Sequence, residues 1–158
     1  MFTIGHFLAL VGAVLAAGLA GIGSARGVGM AGEAASGVIS EDPNKFGSCL
    51  VLQALPGTQG VYGLLIAFLV ILNTGILAGA PKDVSLWQGL SLLVGCLPAA
   101  FGGYFSAIAQ GRTAVTGIGL VAKRPEEAGK AIVMAVMVET FAVLALLISL
   151  LMVTGIKL

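Results

Sequence analysis

The chain has 158 residues, 58% hydrophobic and only 9% charged, with 24 glycines and a formal net charge of +1. A mean hydropathy of +1.08 excludes a soluble domain and marks an integral membrane protein. Its near-zero charge gives no basic footprint for nucleic acid and no acidic tail.

Four long apolar segments emerge along the chain, about His6 to Val38, Lys45 to Asn73, Leu86 to Val121 and Glu126 to Ile156. The first opens with a run, Phe7 to Ala20, that has the length of a signal peptide. It lacks a cationic start and continues unbroken into Gly21 to Ala35, so it reads as a retained first helix. Each segment is long enough to span a bilayer, and the first and third project beyond it. The breaks are Ser40-Glu41-Asp42-Pro43-Asn44, then Gly75 to Ser85 around Pro81-Lys82-Asp83, then Lys123-Arg124-Pro125. Each is polar and holds a proline, so three loops join four helices. Cys49 and Cys96 lie inside apolar stretches and read as free buried thiols.

Residues 24 to 69 align without gaps on residues 106 to 151, an offset of 82. Ser24, Ala25, Gly29, Gly37, Pro43, Gly47, Val51, Thr58 and Val61 fall on Ser106, Ala107, Gly111, Gly119, Pro125, Gly129, Val133, Thr140 and Val143. The pattern predicts an all-α membrane protein of four transmembrane helices, arranged as two duplicated helical hairpins. Residues 1–75 form the first hairpin, 76–85 the connecting loop and 86–158 the second hairpin. Both hairpin turns then lie on one side of the membrane, with both termini on the other. Lys45, Lys123, Arg124 and Lys130 flank the turns against Lys82 and Lys157 opposite, which places the turns near Pro43 and Pro125 in the cytoplasm. Trp87 fits an interfacial anchor.

Small residues crowd the odd-numbered helices: Ala13, Ala17, Gly21, Gly23, Gly27, Gly29 and Gly32 in the first, Gly102, Gly103, Ser106, Ala107, Gly111, Ala114 and Gly117 in the third. Such surfaces let helix backbones approach closely in lipid, and their density points to a crowded oligomer. Gly27-Val28-Gly29-Met30-Ala31-Gly32 spells G-x-G-x-x-G, but it has no preceding strand and is no dinucleotide fingerprint.

Glu139 stands near mid-depth of the last segment, a run of roughly 40 Å at ~1.5 Å per residue. A carboxylate there costs about 2.5 to 3.5 kcal/mol on insertion scales and marks a functional site that needs partners. The second segment supplies them: Leu55, Thr58, Gln59 and Tyr62 share one face at spacing i, i+3, i+4, i+7. Pro56, with no N–H, bends the backbone and frees a carbonyl near Leu55. In the repeat, Gly57 falls opposite Glu139, so the polar face and the carboxylate share a depth, and Gln110 on the third helix joins them. Glu139, Gln110, Thr58, Gln59, Tyr62 and the Leu55 carbonyl make an oxygen-only set with one negative charge. That set suits Na⁺ better than a transition metal or a divalent ion. A site for protons alone, or simple helix-packing hydrogen bonds, are the alternatives. No catalytic constellation is present: His6 is the only histidine, and no Walker lysine or carboxylate pair stands at one depth, so the chain is not itself an enzyme.

Gly21-Ile22-Gly23-Ser24-Ala25-Arg26-Gly27-Val28-Gly29-Met30, Leu55-Pro56-Gly57-Thr58-Gln59-Gly60-Val61-Tyr62-Gly63, Phe105-Ser106-Ala107-Ile108-Ala109-Gln110-Gly111 and Met137-Val138-Glu139-Thr140 carry a resemblance that runs nearly end to end. The chain closely resembles the four-helix proteolipid K (c-type) subunits of bacterial V-type ATPases, particularly the Na⁺-translocating ones. The resemblance implies a homo-oligomeric ring of identical subunits in the cell membrane, rotating against a stator subunit that bears an arginine. It also implies a central stalk leading to soluble ATP-hydrolysing subunits. Glu139 would bind the ion, with Leu55 (backbone carbonyl), Thr58, Gln59, Gln110 and Tyr62 around it; Na⁺ is cargo, and no cofactor is expected. The same rotor carrying H⁺, a small four-helix cation/drug antiporter and a structural pore-forming proteolipid are the rival readings. The sequence leaves the roles of Arg26, Glu33 and Arg112 open.

Overall fold

Proline decides where the long helices stop. In a computed structural model that describes residues 2–158, five α-helices follow one another: α1 Ile4–Glu41, α2 Phe46–Ala54, α3 Thr58–Asn73, α4 Leu86–Lys123 and α5 Ala128–Gly155. Asp42 (φ −141°, ψ 96°) and Arg124 (φ −142°, ψ 80°) leave the helical region because each precedes a proline, whose ring excludes that conformation from its neighbour. The polar tails Ser40-Glu41 and Ala122-Lys123 stay helical up to that point, so α1 and α4 run slightly further than the apolar segments alone suggest. The two starts are equally specified. Thr3 with His6, and Ser85 with Gln88, form capping boxes that satisfy the first free N–H groups.

Four spans are long and apolar enough to cross a membrane: Ile4–Glu41, Pro43–Asn73, Leu86–Lys123 and Pro125–Gly155. They are the four expected from the sequence. The second is not one regular helix, because a 3₁₀ turn at Leu55–Gly57 separates α2 from α3. Pro56 causes it by withholding an N–H and crowding the preceding turn, so the expected bend takes the form of a tightened helix. After α3, Gly75 accepts a left-handed φ of +74° that turns the chain into the connecting loop.

The α1 and α4 helices lie back to back at nearly backbone contact. A methyl group placed on Gly111 would lie 2.5 Å from the Gly27 Cα, and one on Gly23 would lie 2.6 Å from the Tyr104 carbonyl. Such closeness is how helices associate in lipid, where apolar side chains have no preference for protein over acyl chains. Gly63 brings α3 against Ala16 and Ala20 of α1, and Gly102 brings α4 against Ala145 of α5. The small-residue faces are therefore divided. Gly23, Gly27, Gly103 and Gly111 pack within the subunit, whereas Gly21 and Gly29 have nothing within 4 Å.

Two apolar clusters result. One gathers Ala9, Ala13, Ile66, Val70, Leu92 and Cys96 toward the termini; the other gathers Ala35, Cys49, Leu52, Ile118, Val121 and Ala131 toward the turns. Both cysteines are buried and free. At the turn end, Lys45 Nζ donates to the Ala122 carbonyl at 2.8 Å, a cation on the negative end of α4 that ties the two hairpins together. Asn73 Nδ2 donating to Val153 O at 3.2 Å does the same at the other end. In the first turn, Asp42 accepts from the Asn44 N–H at 3.1 Å and faces Lys45 at 3.5 Å. That backbone bond, ahead of the lysine charge, holds the Asp42 carboxyl below its ordinary 3.8. Its stabilisation of the turn is complete above that ordinary value and is lost as pH falls through the lowered one.

Gly111→Ile must force α1 and α4 apart, and overpacking of this kind costs about 1 to 3 kcal/mol or more. We expect a clear drop in the thermal midpoint of the detergent-solubilised protein. Gly119→Ala, which meets nothing within 4 Å, should leave the midpoint unchanged or slightly higher.

Candidate ion-binding site

The site lies between the two apolar clusters, where α3, α4 and α5 meet. Its position is set by Pro56, which is buried against α1: a methyl group on Gly27 would stand 2.7 Å from the Pro56 Cβ. The missing side chain of Gly27 is thus the notch that receives the 3₁₀ turn. Ser24 of α1 accepts the Gly60 N–H at 2.8 Å and holds the start of α3 just beyond that turn.

Glu139 is half-buried and accepts two hydrogen bonds. Tyr62 Oη donates to its Oε1 at 2.6 Å, and Gln110 Nε2 donates to its Oε2 at 3.3 Å. The first is the shorter of the two. Gln110 Nε2 also donates to the Ala135 carbonyl at 3.1 Å, one helical turn before Glu139. Gln59, fully buried, donates through Nε2 to Gln110 Oε1 at 2.6 Å. Its own oxygen lies 3.3 Å from Thr58 Oγ1, which donates to the Leu55 carbonyl at 3.0 Å.

All six residues singled out in the sequence therefore fall in one connected cluster. Leu55 O, Thr58 Oγ1 and Gln59 Oε1 form a neutral oxygen group, and an amide chain through Gln59 and Gln110 links it to the carboxylate. Tyr62 touches Glu139 directly. Gln110 turns its NH₂ to the carboxylate, while its oxygen serves Gln59.

Ser106 is a member that sequence reasoning passed over as a small packing residue. Its hydroxyl donates to the Val138 carbonyl at 3.1 Å and accepts from Gln59 Nε2 at 3.4 Å. The only signal was its match to Ser24 in the repeat.

Arg26, Glu33 and Arg112 stand apart from this cluster. They border an open groove of about 710 Å³ on the α1/α4 face, where Arg26 Nη1 donates to Tyr104 Oη at 2.9 Å. None of the three touches Glu139.

Comparison with known proteins gives the same two-part division. The family model of the ATP synthase C subunit matches twice, over residues 11–70 and 93–152, so the second match starts 82 positions after the first. This chain belongs to the ATP synthase C-subunit family. It is 50% identical over 149 residues to the V-type sodium ATPase subunit K of Enterococcus hirae, covering 94% of this chain and 92% of that one. It is 44% identical over 149 residues to the A-type ATP synthase subunit K of Methanocaldococcus jannaschii, covering 94% of this chain and 63% of the relative. Of the two stretches that match the family, only the second contains a mid-span carboxylate. Glu139 lies in it, and Gly57 occupies the corresponding place in the first.

Tyr62→Phe removes the phenolic donor and leaves the carboxylate with one side-chain partner. A hydrogen bond to a charged group contributes about 1.5 to 3 kcal/mol. Without added salt, a carboxyl-directed carbodiimide should modify Glu139 in this variant about tenfold faster than in the unaltered protein.

Proposed function

We propose that this chain is the membrane rotor subunit of a rotary ATPase and carries Na⁺ across the membrane on Glu139. The observation that carries the proposal is the Glu139 cluster itself: one carboxylate beside the oxygens of Leu55, Thr58 and Gln59, with Tyr62 and Gln110 fixing it. One negative charge and neutral oxygens suit a hard monovalent cation, and the name of the Enterococcus hirae relative speaks for sodium.

The physics of such a site gates rotation. With Na⁺ bound, the pocket is neutral overall and can pass through lipid. Emptied, it leaves a carboxylate that is stable only beside a cation or water. Identical subunits in a ring would present these sites in turn to a stator subunit bearing an arginine, which stabilises the emptied carboxylate and releases the ion. The hairpin turns near Pro43 and Pro125, cytoplasmic in this reading, would meet the central stalk of the soluble ATPase, with both termini on the opposite side. Moving one charge against 100 mV takes about 2.3 kcal/mol, supplied by that soluble motor. The chain itself transports and does not catalyse.

The decisive experiment is carbodiimide labelling of Glu139 in the purified ring, with and without Na⁺, across pH. Na⁺ should protect the carboxyl, and protons should compete, so more Na⁺ is needed as pH falls. Glu139→Gln should abolish both labelling and transport. Labelling indifferent to Na⁺ at every pH would reassign the rotor to protons, and transport surviving Glu139→Gln would remove it from this role altogether.

A further inference from the structure

A primary amide is a poor choice for a cation site unless something fixes which end faces the ion. Its oxygen attracts a cation and its NH₂ repels one, and the two ends have nearly the same shape. Gln59 is fully buried and belongs to the oxygen group, so its polarity decides whether Thr58 and Leu55 are joined by a third oxygen or by an NH₂. The polarity is set from α4. Gln59 Nε2 lies 2.6 Å from Gln110 Oε1 and 3.4 Å from Ser106 Oγ, two acceptors one helical turn apart, so Oε1 is left facing Thr58.

The two acceptors are not equivalent. Gln110 is itself an amide that could rotate, and it touches the carboxylate that must trade its ion. Ser106 is anchored independently, because its hydroxyl proton is committed to the Val138 carbonyl at 3.1 Å. That bond leaves its oxygen lone pairs, and no proton, pointing at Gln59. It also joins α4 to the residue next to Glu139, so one hydroxyl holds both the amide and the backbone that carries the acid.

We propose that Ser106 is a positioning residue for ion binding. By keeping the NH₂ of Gln59 on α4, it holds Gln59 Oε1 toward the ion and thereby favours Na⁺ over H⁺ on Glu139. This rests on the ion-carrying reading above and deepens it. The duplication supplies an internal comparison. Ser24 occupies the matching place in the first hairpin and is as deeply buried, yet it accepts only a backbone N–H, that of Gly60 at 2.8 Å. It has no amide side chain to orient.

The test compares Ser106→Ala, Ser106→Thr and, as a buried serine outside the site, Ser149→Ala, whose hydroxyl accepts the Ala99 N–H at 2.9 Å ten residues along α5 from Glu139, in the purified ring; it reads the Na⁺ concentration that half-protects Glu139 from carbodiimide and the labelling rate without Na⁺. Ser106→Ala should raise the half-protecting Na⁺ about tenfold, the scale of losing one buried hydrogen-bond partner, with little change in the Na⁺-free rate. Ser106→Thr restores the hydroxyl at a position that borders the groove beside Phe105, Val138 and Phe141, so protection should return to within about twofold. Ser149→Ala should lower thermal stability without moving the half-protecting Na⁺. If Ser106→Ala and Ser149→Ala shift Na⁺ protection equally, or if threonine fails to rescue an assembled ring, Ser106 has only a packing role. An unaltered ring with no Na⁺ protection at all defeats the Na⁺-carrying reading instead, which keeps the two failures distinct.

Discussion

A carboxylate at mid-depth in a membrane span is the constraint to which the rest of this molecule answers. Left alone there, Glu139 would lack any polar partner, because no hydrocarbon can replace its lost hydration. The fold gives it two donors, Tyr62 on α3 and Gln110 on α4, and places neutral oxygens from the Leu55–Gln59 turn within the same network. Two donors and one charge leave the site unsaturated. Lone pairs of the carboxylate stay free, and they are what the proposed cation would use.

Holding that arrangement requires a frame that does not yield, and α1 with α4 provides it. Their glycines bring two backbones together along most of their length, so neither helix can slide without opening a gap that lipid cannot fill. The frame then positions the functional parts directly. Gly27 of α1 receives Pro56, which fixes the turn presenting the Leu55 carbonyl. Ser106 and Gln110 of α4 hold the Val138 and Ala135 carbonyls of α5, which fixes the rotation of the helix carrying Glu139. Packing and site are thus one set of contacts seen from two sides.

Much of this was legible in the sequence, for identifiable reasons. The helix ends follow from Pro43 and Pro125, whose effect on the preceding residue is local and needs no tertiary knowledge. The cluster members follow from a face repeat in the second span and from the offset of 82, which sets Gly57 and Glu139 at one depth. What could not be read was anything that depends on which way a small or symmetric group points. Serine among glycines and alanines looks like one more small packing residue, so Ser106 escaped notice. The Gln110 amide counts as an oxygen in any sequence reading, yet here its NH₂ faces the acid. Which glycines pack inside the subunit and which stay open is likewise a matter of three-dimensional register, since Gly21 and Gly23 are two residues apart and have opposite fates.

The unequal halves of the duplication also have a physical logic. Gly57, the counterpart of Glu139, is not crowded: a methyl group there would meet only the Val28 Cγ2, at 3.6 Å. Sterics therefore do not exclude a side chain in the first hairpin. A second charge is what would be costly, because another carboxylate at the same depth would repel the first across a medium that screens poorly. In its place the first hairpin has a proline-tightened turn, which groups the Leu55 carbonyl with the Thr58 and Gln59 side-chain oxygens without adding charge. One hairpin supplies the acid and the other the neutral oxygens around it.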